Sequence, residues 1–300
     1  MQTDKAELYL DLKLQIGEGP WWDTASGRLY WVDILGKKVG VVETETGAQQ
    51  SWPVSQCPGA AIPAIDGRIV VPMQDGIYML DPANGAQTLL CHVENDMPGN
   101  RFNDAKCDAK GRLWFGSMSE AANDPDAPFT ASGSLYKLDK GKPVRMFGDV
   151  GISNGLGWSA DNRRMYYIDS AAACVSAWKF DLETGIIREK REAARLEAAQ
   201  GMPDGMAADA EGMIWVAHFG GGKVGRWNPE TGELLATVEL PVTLATSCCF
   251  GGPNLDILYI TTASAQLPPE RKADEPLAGG LFVHHPGVKG LPMHKFNPDV

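Results

Sequence analysis

No apolar run in this chain reaches the roughly 18–20 residues that a membrane-spanning helix needs, so helical membrane insertion is excluded. The opening residues, Met1-Gln-Thr-Asp-Lys-Ala-Glu, lack the basic-then-apolar order of a secretory signal. Positive charge is in short supply: 27 Lys and Arg face 38 Asp and Glu, a net −11 that repels nucleic acid and anionic membrane. Cysteine pairing motifs are missing as well. Cys57, Cys91, Cys107, Cys174, Cys248 and Cys249 form no C-x-x-C, which argues against a zinc ribbon or a thioredoxin-type site. With no secretory signal, the thiols read as reduced and the protein as cytoplasmic. Linkers are absent too: no Ser/Pro-rich stretch or charge run divides residues 1–300, which read as one domain. Helical periodicity is weak, with 188–200, rich in Ala, Glu and Arg, as the one helical candidate.

What the chain does have is repetition. Leu29, Ile69, Leu113, Met165, Ile214 and Leu258 occupy equivalent places in six strands, at intervals of 40, 44, 52, 49 and 44 residues. Each strand is rich in aromatic and β-branched residues, as in Arg28-Leu-Tyr-Trp-Val-Asp33 and Arg164-Met-Tyr-Tyr-Ile-Asp169. A second strand follows each one, and several then enter a turn such as Asp181-Leu-Glu-Thr-Gly185. Six copies of about four short strands predict an all-β, six-bladed β-propeller. A ring must close on itself, and 7–12 is the segment expected to pair with the last blade. Two loops, 121–132 and 264–277, are long enough to cover a site on one face.

An oxygen-bearing side chain opens the first strand of four repeats: Glu18, Asn103, Asn154 and Asp204. The first strand of each propeller blade lines the central channel, so these four residues are expected to converge on the axis. Two carboxylates in a narrow channel repel unless a proton or a cation intervenes. Two carboxylates with neutral amide oxygens are a donor set for a hard divalent ion, Ca²⁺, Mg²⁺ or Mn²⁺; Zn²⁺ gains no soft ligand here. Asn-Gly and Asp-Gly pairs are also ordinary turn formers, and spacing alone does not separate that reading from a shared metal site. Asp33 and Asp169 are expected to cap turns away from this face, and His218 to be a satisfied core histidine. The Trp and Tyr stripe of the second strands is expected to pack between blades rather than to stack bases.

Five segments in order, Ile16-Gly-Glu-Gly-Pro-Trp-Trp-Asp23, Arg101-Phe-Asn-Asp104, Ile152-Ser-Asn-Gly-Leu-Gly-Trp158, Pro203-Asp-Gly-Met206 and Thr246-Ser-Cys-Cys-Phe-Gly-Gly252, resemble the regucalcin/gluconolactonase family over nearly the whole chain. The resemblance implies one axial divalent metal, calcium favoured among calcium, magnesium, manganese and zinc, with Glu18, Asn154 and Asp204 as ligands. It matches Arg101 and Asn103 to positions that hold substrate. Vertebrate members carry a substrate-contacting Glu where this chain has Ala121; the preceding Glu120 is the candidate for that role. The implied reaction is hydrolysis of a sugar lactone, an aldonolactone, to the aldonic acid. The metal would polarise the carbonyl, and Asp204 would either take a proton from the attacking water or orient it. Two other classes stay open: a metal-dependent esterase or phosphotriesterase on the same scaffold, and a non-enzymatic calcium-binding propeller. Oligomeric state is not readable from the residues.

Overall fold

The computed structural model describes residues 2–123 and 127–300. Six antiparallel sheets follow one another along the chain as the blades of a β-propeller. Their first strands are Gly17–Asp23, Ile62–Pro63, Asn100–Cys107, Ser153–Trp158, Met202–Ala208 and Ala245–Gly251. The six positions that set the repeat, Leu29 through Leu258, are all at most 2% exposed, which is what keeps the blades in register. Trp114, Trp158 and Phe180 meet edge-on or tilted between blades three and four, at 5.9–6.2 Å between ring centroids. The aromatic stripe is therefore interblade core, as expected.

A repeated clasp holds two of the hairpins. In Asp108-Ala-Lys-Gly-Arg-Leu-Trp114 and Asp209-Ala-Glu-Gly-Met-Ile-Trp215, the aspartate is fully buried at the turn. Asp108 accepts from the Lys110 and Arg112 amides, from Arg112 Nε at 2.8 Å and from Trp114 Nε1 at 3.0 Å. Asp209 repeats this with the Glu211 and Met213 amides, Trp215 Nε1 and, from a neighbouring strand, Arg226 Nε. Each carboxylate thus ties its turn to the tryptophan six residues on.

The ring closes through both ends of the chain. Glu7–Leu10 pairs antiparallel with Leu281–His284 as the outer strand of blade six, within the segment expected to do so. Unforeseen, Gln2–Lys5 adds a parallel fifth strand to blade five beside Leu234–Glu239. At the other end, residues 289–300 cross the far face. Backbone bonds join them to Ala210, Leu255, Pro63, Gly111 and Lys140, and Lys295 reaches Asp23 at 3.0 Å.

Two expectations fail. The segment 188–200 is not a helix: Ile186–Arg195 is the outer strand of blade four, and only Ala198–Gln200 turns, as a short 3-10 segment. Pairing with Cys174–Asp181 and burial of Ala193, Ala194 and Leu196 between blades override the helix-favouring composition. Asp33 and Asp169 do not lie away from the site face. Antiparallel pairing sets Asp33 opposite Gly17 and Asp169 opposite Ser153, at the same end as the first-strand openings. They do cap: Asp33 accepts from the Gln15, Ile16 and Gly36 amides, and Asp169 from Gly151, Ile152 and Ala171.

Candidate metal centre and active-site cavity

The first strand of five blades breaks register against its neighbour at one place: between Glu18 and Trp21, Phe102 and Ala105, Asn154 and Leu156, Pro203 and Met206, and Ala245 and Ser247. A bulge re-aims the side chain beside it. Here it does so where Glu18, Asn103, Asn154 and Asp204 stand. The Asn-Gly and Asp-Gly pairs are thus inside strands, not at turns. Their glycines let adjacent blades approach: a Cβ on Gly155 would lie 2.7 Å from the Asp204 carbonyl oxygen, and one on Gly205 would lie 2.0 Å from Ser247 Oγ.

All four residues, with Arg101, line one cavity of about 550 Å³. It has two tiers, because residues two apart on a strand share a face. The lower tier is Glu18, Asn103, Asn154, Asp204 and Thr246; two residues earlier stand Ile16, Arg101, Ile152 and Met202. Phe219 and the strap 265–268 complete the wall. Of the two loops expected to cover a site, 264–277 supplies that strap, and 121–132 supplies Ala122, with 124–126 lying outside the described residues. Glu120 is exposed and does not line the cavity, although its charge supports the Arg101 guanidinium.

A hydrogen-bonded chain runs around the lower tier. Arg101 Nη1 donates to Asn103 Oδ1 at 2.6 Å, and Asn103 Nδ2 donates to Ser153 O at 2.8 Å and to Asn154 Oδ1 at 3.3 Å. Asn154 Nδ2 donates to Ser170 Oγ at 2.9 Å, which donates to Pro203 O at 2.6 Å, next to Asp204. Asp204 breaks the pattern: its Oδ1 is buried and accepts no hydrogen bond from any described residue. Among the described residues Glu18 accepts only from the Gly19 amide, at 2.9 Å. Burial, then the charge of Asp104, pushes Glu18 up to about 8; burial and Glu18 hold Asp204 well above the usual carboxylate range.

Sequence reasoning missed two charged neighbours. Asp104 is buried and adds its charge to both carboxylates. Strict alternation would turn it from the face that Asn103 uses; the bulge at 102–105 relaxes that alternation, and a bulge has no signature in one sequence. Lys106 donates from Nζ to Met206 O at 2.7 Å, crossing from blade three to blade five, and offsets part of the negative charge. His218, by contrast, is the core residue expected. Its Nδ1–H donates to Gln200 O at 2.9 Å, and Nε2 accepts from Trp227 at 3.4 Å.

Among the described residues no three His, Cys, Asp or Glu side chains cluster as a metal site. The donor set is two carboxylates completed by amide oxygens. An orphaned buried carboxylate oxygen beside a second unneutralised carboxylate fits a hard divalent cation.

The pattern of the SMP-30/Gluconolactonase/LRE-like region matches residues 16–264. Regucalcin of Oryctolagus cuniculus is 40% identical over 298 residues, 99% of each chain. Among solved structures, a calcium-binding protein, regucalcin, from Agrobacterium tumefaciens superposes over the whole of both chains with a TM-score of 0.91 at 27% identity. A luciferin-regenerating enzyme does so with a TM-score of 0.90 at 34% identity, over 97% of this chain and 99% of its own. With full-length likeness to regucalcin joined to the six-bladed ring and its axial carboxylates, the chain belongs to the SMP-30/gluconolactonase/LRE-like family.

Proposed function

We propose that the protein hydrolyses a sugar lactone to the open aldonic acid, with a divalent ion held by Glu18, Asn154 and Asp204. One observation carries the reading: Asp204, with one buried oxygen that has no partner among the described residues, lines the same cavity as a guanidinium–amide pair, Arg101 and Asn103. A calcium buffer has no need of an arginine beside its ion, whereas a lactone needs something to orient its ring. When bound, the cation supplies Lewis acidity toward the ester carbonyl; the hard oxygen donors suit calcium, magnesium or manganese, and likeness to a calcium-binding regucalcin favours calcium. Arg101 and Asn103 hold ring hydroxyls and fix which face of the carbonyl meets water. Asp204 takes a proton from the water that attacks the carbonyl carbon. The ring C–O bond breaks, and the proton passes to the departing ring oxygen. Burial raises the proton affinity of Asp204, and a bound cation would lower it.

The test is chelator-stripped protein assayed on pentono- and hexonolactones with each divalent ion restored in turn. Acid release above the spontaneous rate is expected with one ion foremost. Asp204→Asn is expected to lower turnover roughly 10²–10⁴-fold. Arg101→Ala is expected to lower kcat/KM about 100-fold while calorimetric metal affinity changes less than about threefold. Unaltered turnover in Arg101→Ala sinks the substrate assignment. Silence on every lactone, with tight metal binding kept, points instead to calcium binding or to another ester or phosphoester.

A further inference from the structure

The two tiers of the cavity differ in chemistry. Below are oxygen and amide groups; above, Ile16, Ile152 and Met202 stand in three of the four equivalent places, flanked by Phe219 and Leu267. Among the described residues Arg101 is the one charged side chain of the upper tier; its Nη1 is turned down to Asn103 Oδ1 and Phe102 O, and its other N–H groups are left for the ring hydroxyls. The remaining polar groups of the wall are also committed. Ser170 Oγ bonds Asn154 and Pro203, Thr246 Oγ1 donates to Gly17 O at 2.6 Å, and Gln266 is engaged within the protein. A hydroxyl carried to the side away from Arg101 meets methyl, thioether and aromatic surface and finds no protein partner there.

We infer that the preferred substrate is a lactone whose end remote from the carbonyl is deoxygenated: a 6-deoxyhexonolactone rather than the hexonolactone of the same configuration. This rests on the lactonase reading and deepens it. With the carbonyl and ring hydroxyls at the lower tier, the exocyclic carbon of a six-carbon lactone points toward the mouth, between Met202, Phe219 and Leu267. A methyl group there meets carbon; a hydroxymethyl group gains no donor or acceptor from these three side chains. An apolar pocket discriminates against an added hydroxyl by at most about 10²-fold, so a preference on the order of tenfold is expected.

The experiment compares kcat/KM for pairs that differ only at the 6-hydroxyl, L-rhamnono- against L-mannonolactone and L-fucono- against L-galactonolactone, on metal-loaded enzyme. It is repeated with Met202→Gln, which sets an amide at the mouth on a residue exposed enough to tolerate it. The corresponding aldonates are titrated by calorimetry as a readout independent of turnover. A roughly tenfold preference for both deoxy lactones, narrowing to under threefold in Met202→Gln, supports the inference. Equal or greater kcat/KM for the fully hydroxylated partners overturns it while leaving the lactonase reading intact. If no lactone turns over, the lactonase reading fails. The aldonates then decide the inference: tighter binding of the deoxy acid upholds the apolar mouth, and equal binding overturns it.

Discussion

Asp204 and His218 stand on one hairpin, and they show two ways of burying a group that prefers charge. Asp204 keeps an oxygen without a donor and has carboxylate neighbours. His218 has both ring nitrogens occupied, in the neutral form, and burial lowers it to about 4 from an ordinary 6.5. The sign of the second effect is fixed. Unfolded chain binds a proton below about 6.5 that the folded chain refuses until about 4, so this residue's share of stability falls as pH drops across that window. The loss amounts to roughly 3 kcal/mol by pH 4. Denaturant midpoints of wild type and His218→Asn, measured from pH 7.5 to 4, are expected to converge as pH falls; parallel curves refute it. At this scale the sequence was legible wherever the repeat aligned residues, as with Glu18, Asn154 and Asp204. It was opaque at Asp104 and Lys106, whose placement depends on the bulge between Phe102 and Ala105. At Glu120 the residues carried no signal of geometry: the short 3-10 segment Glu120–Asn123 sets Ala122 in the cavity wall and leaves Glu120 exposed.

Among elements, the hairpin clasps and the strap carry separate jobs. Asp108 receives four hydrogen bonds from its own hairpin, one of them from a guanidinium buried with it. Asp108→Ala strands the Arg112 charge and the Trp114 N–H in the interior and is expected to cost about 3–5 kcal/mol. Chemical denaturation reads it, and a cost below 1 kcal/mol refutes the clasp. The strap depends on Glu275, which accepts from the Thr243 amide and hydroxyl and from Arg271 Nη2. Ser264 Oγ pins the other end to Leu14 O. Glu275→Ala is expected to loosen 265–268, raising KM several-fold with a smaller change in kcat. An unchanged KM means that the strap does not close over substrate. The clasp sequence is plainly visible in the chain once its geometry is known, but a turn with Asp and Gly reads as a turn and no more. The strand Ile186–Arg195 was hidden for a different reason: an outer strand faces solvent on most positions, so its composition is free to favour helix.

At the scale of the ring, six similar sheets have no intrinsic order of closure, and the covalent chain supplies it. Removal of residues 2–10 takes the outer strand from blade six and the fifth strand from blade five. It is expected to lower stability by roughly 5 kcal/mol, about 10 °C in midpoint for a chain of this size, with the proposed lactonase activity lost in step. A truncated protein that melts with the parent refutes the closure role. The pairing also has a consequence in time. Residues 7–10 are made about 270 residues before their partner, 281–284. Blade six, which supplies Thr246 to the cavity, is completed only when a strand made early meets one made much later. A nascent chain therefore carries Glu18 and Asp204 on unfinished scaffolding, and the cavity that brings them together comes into being only after 281–284 have been made.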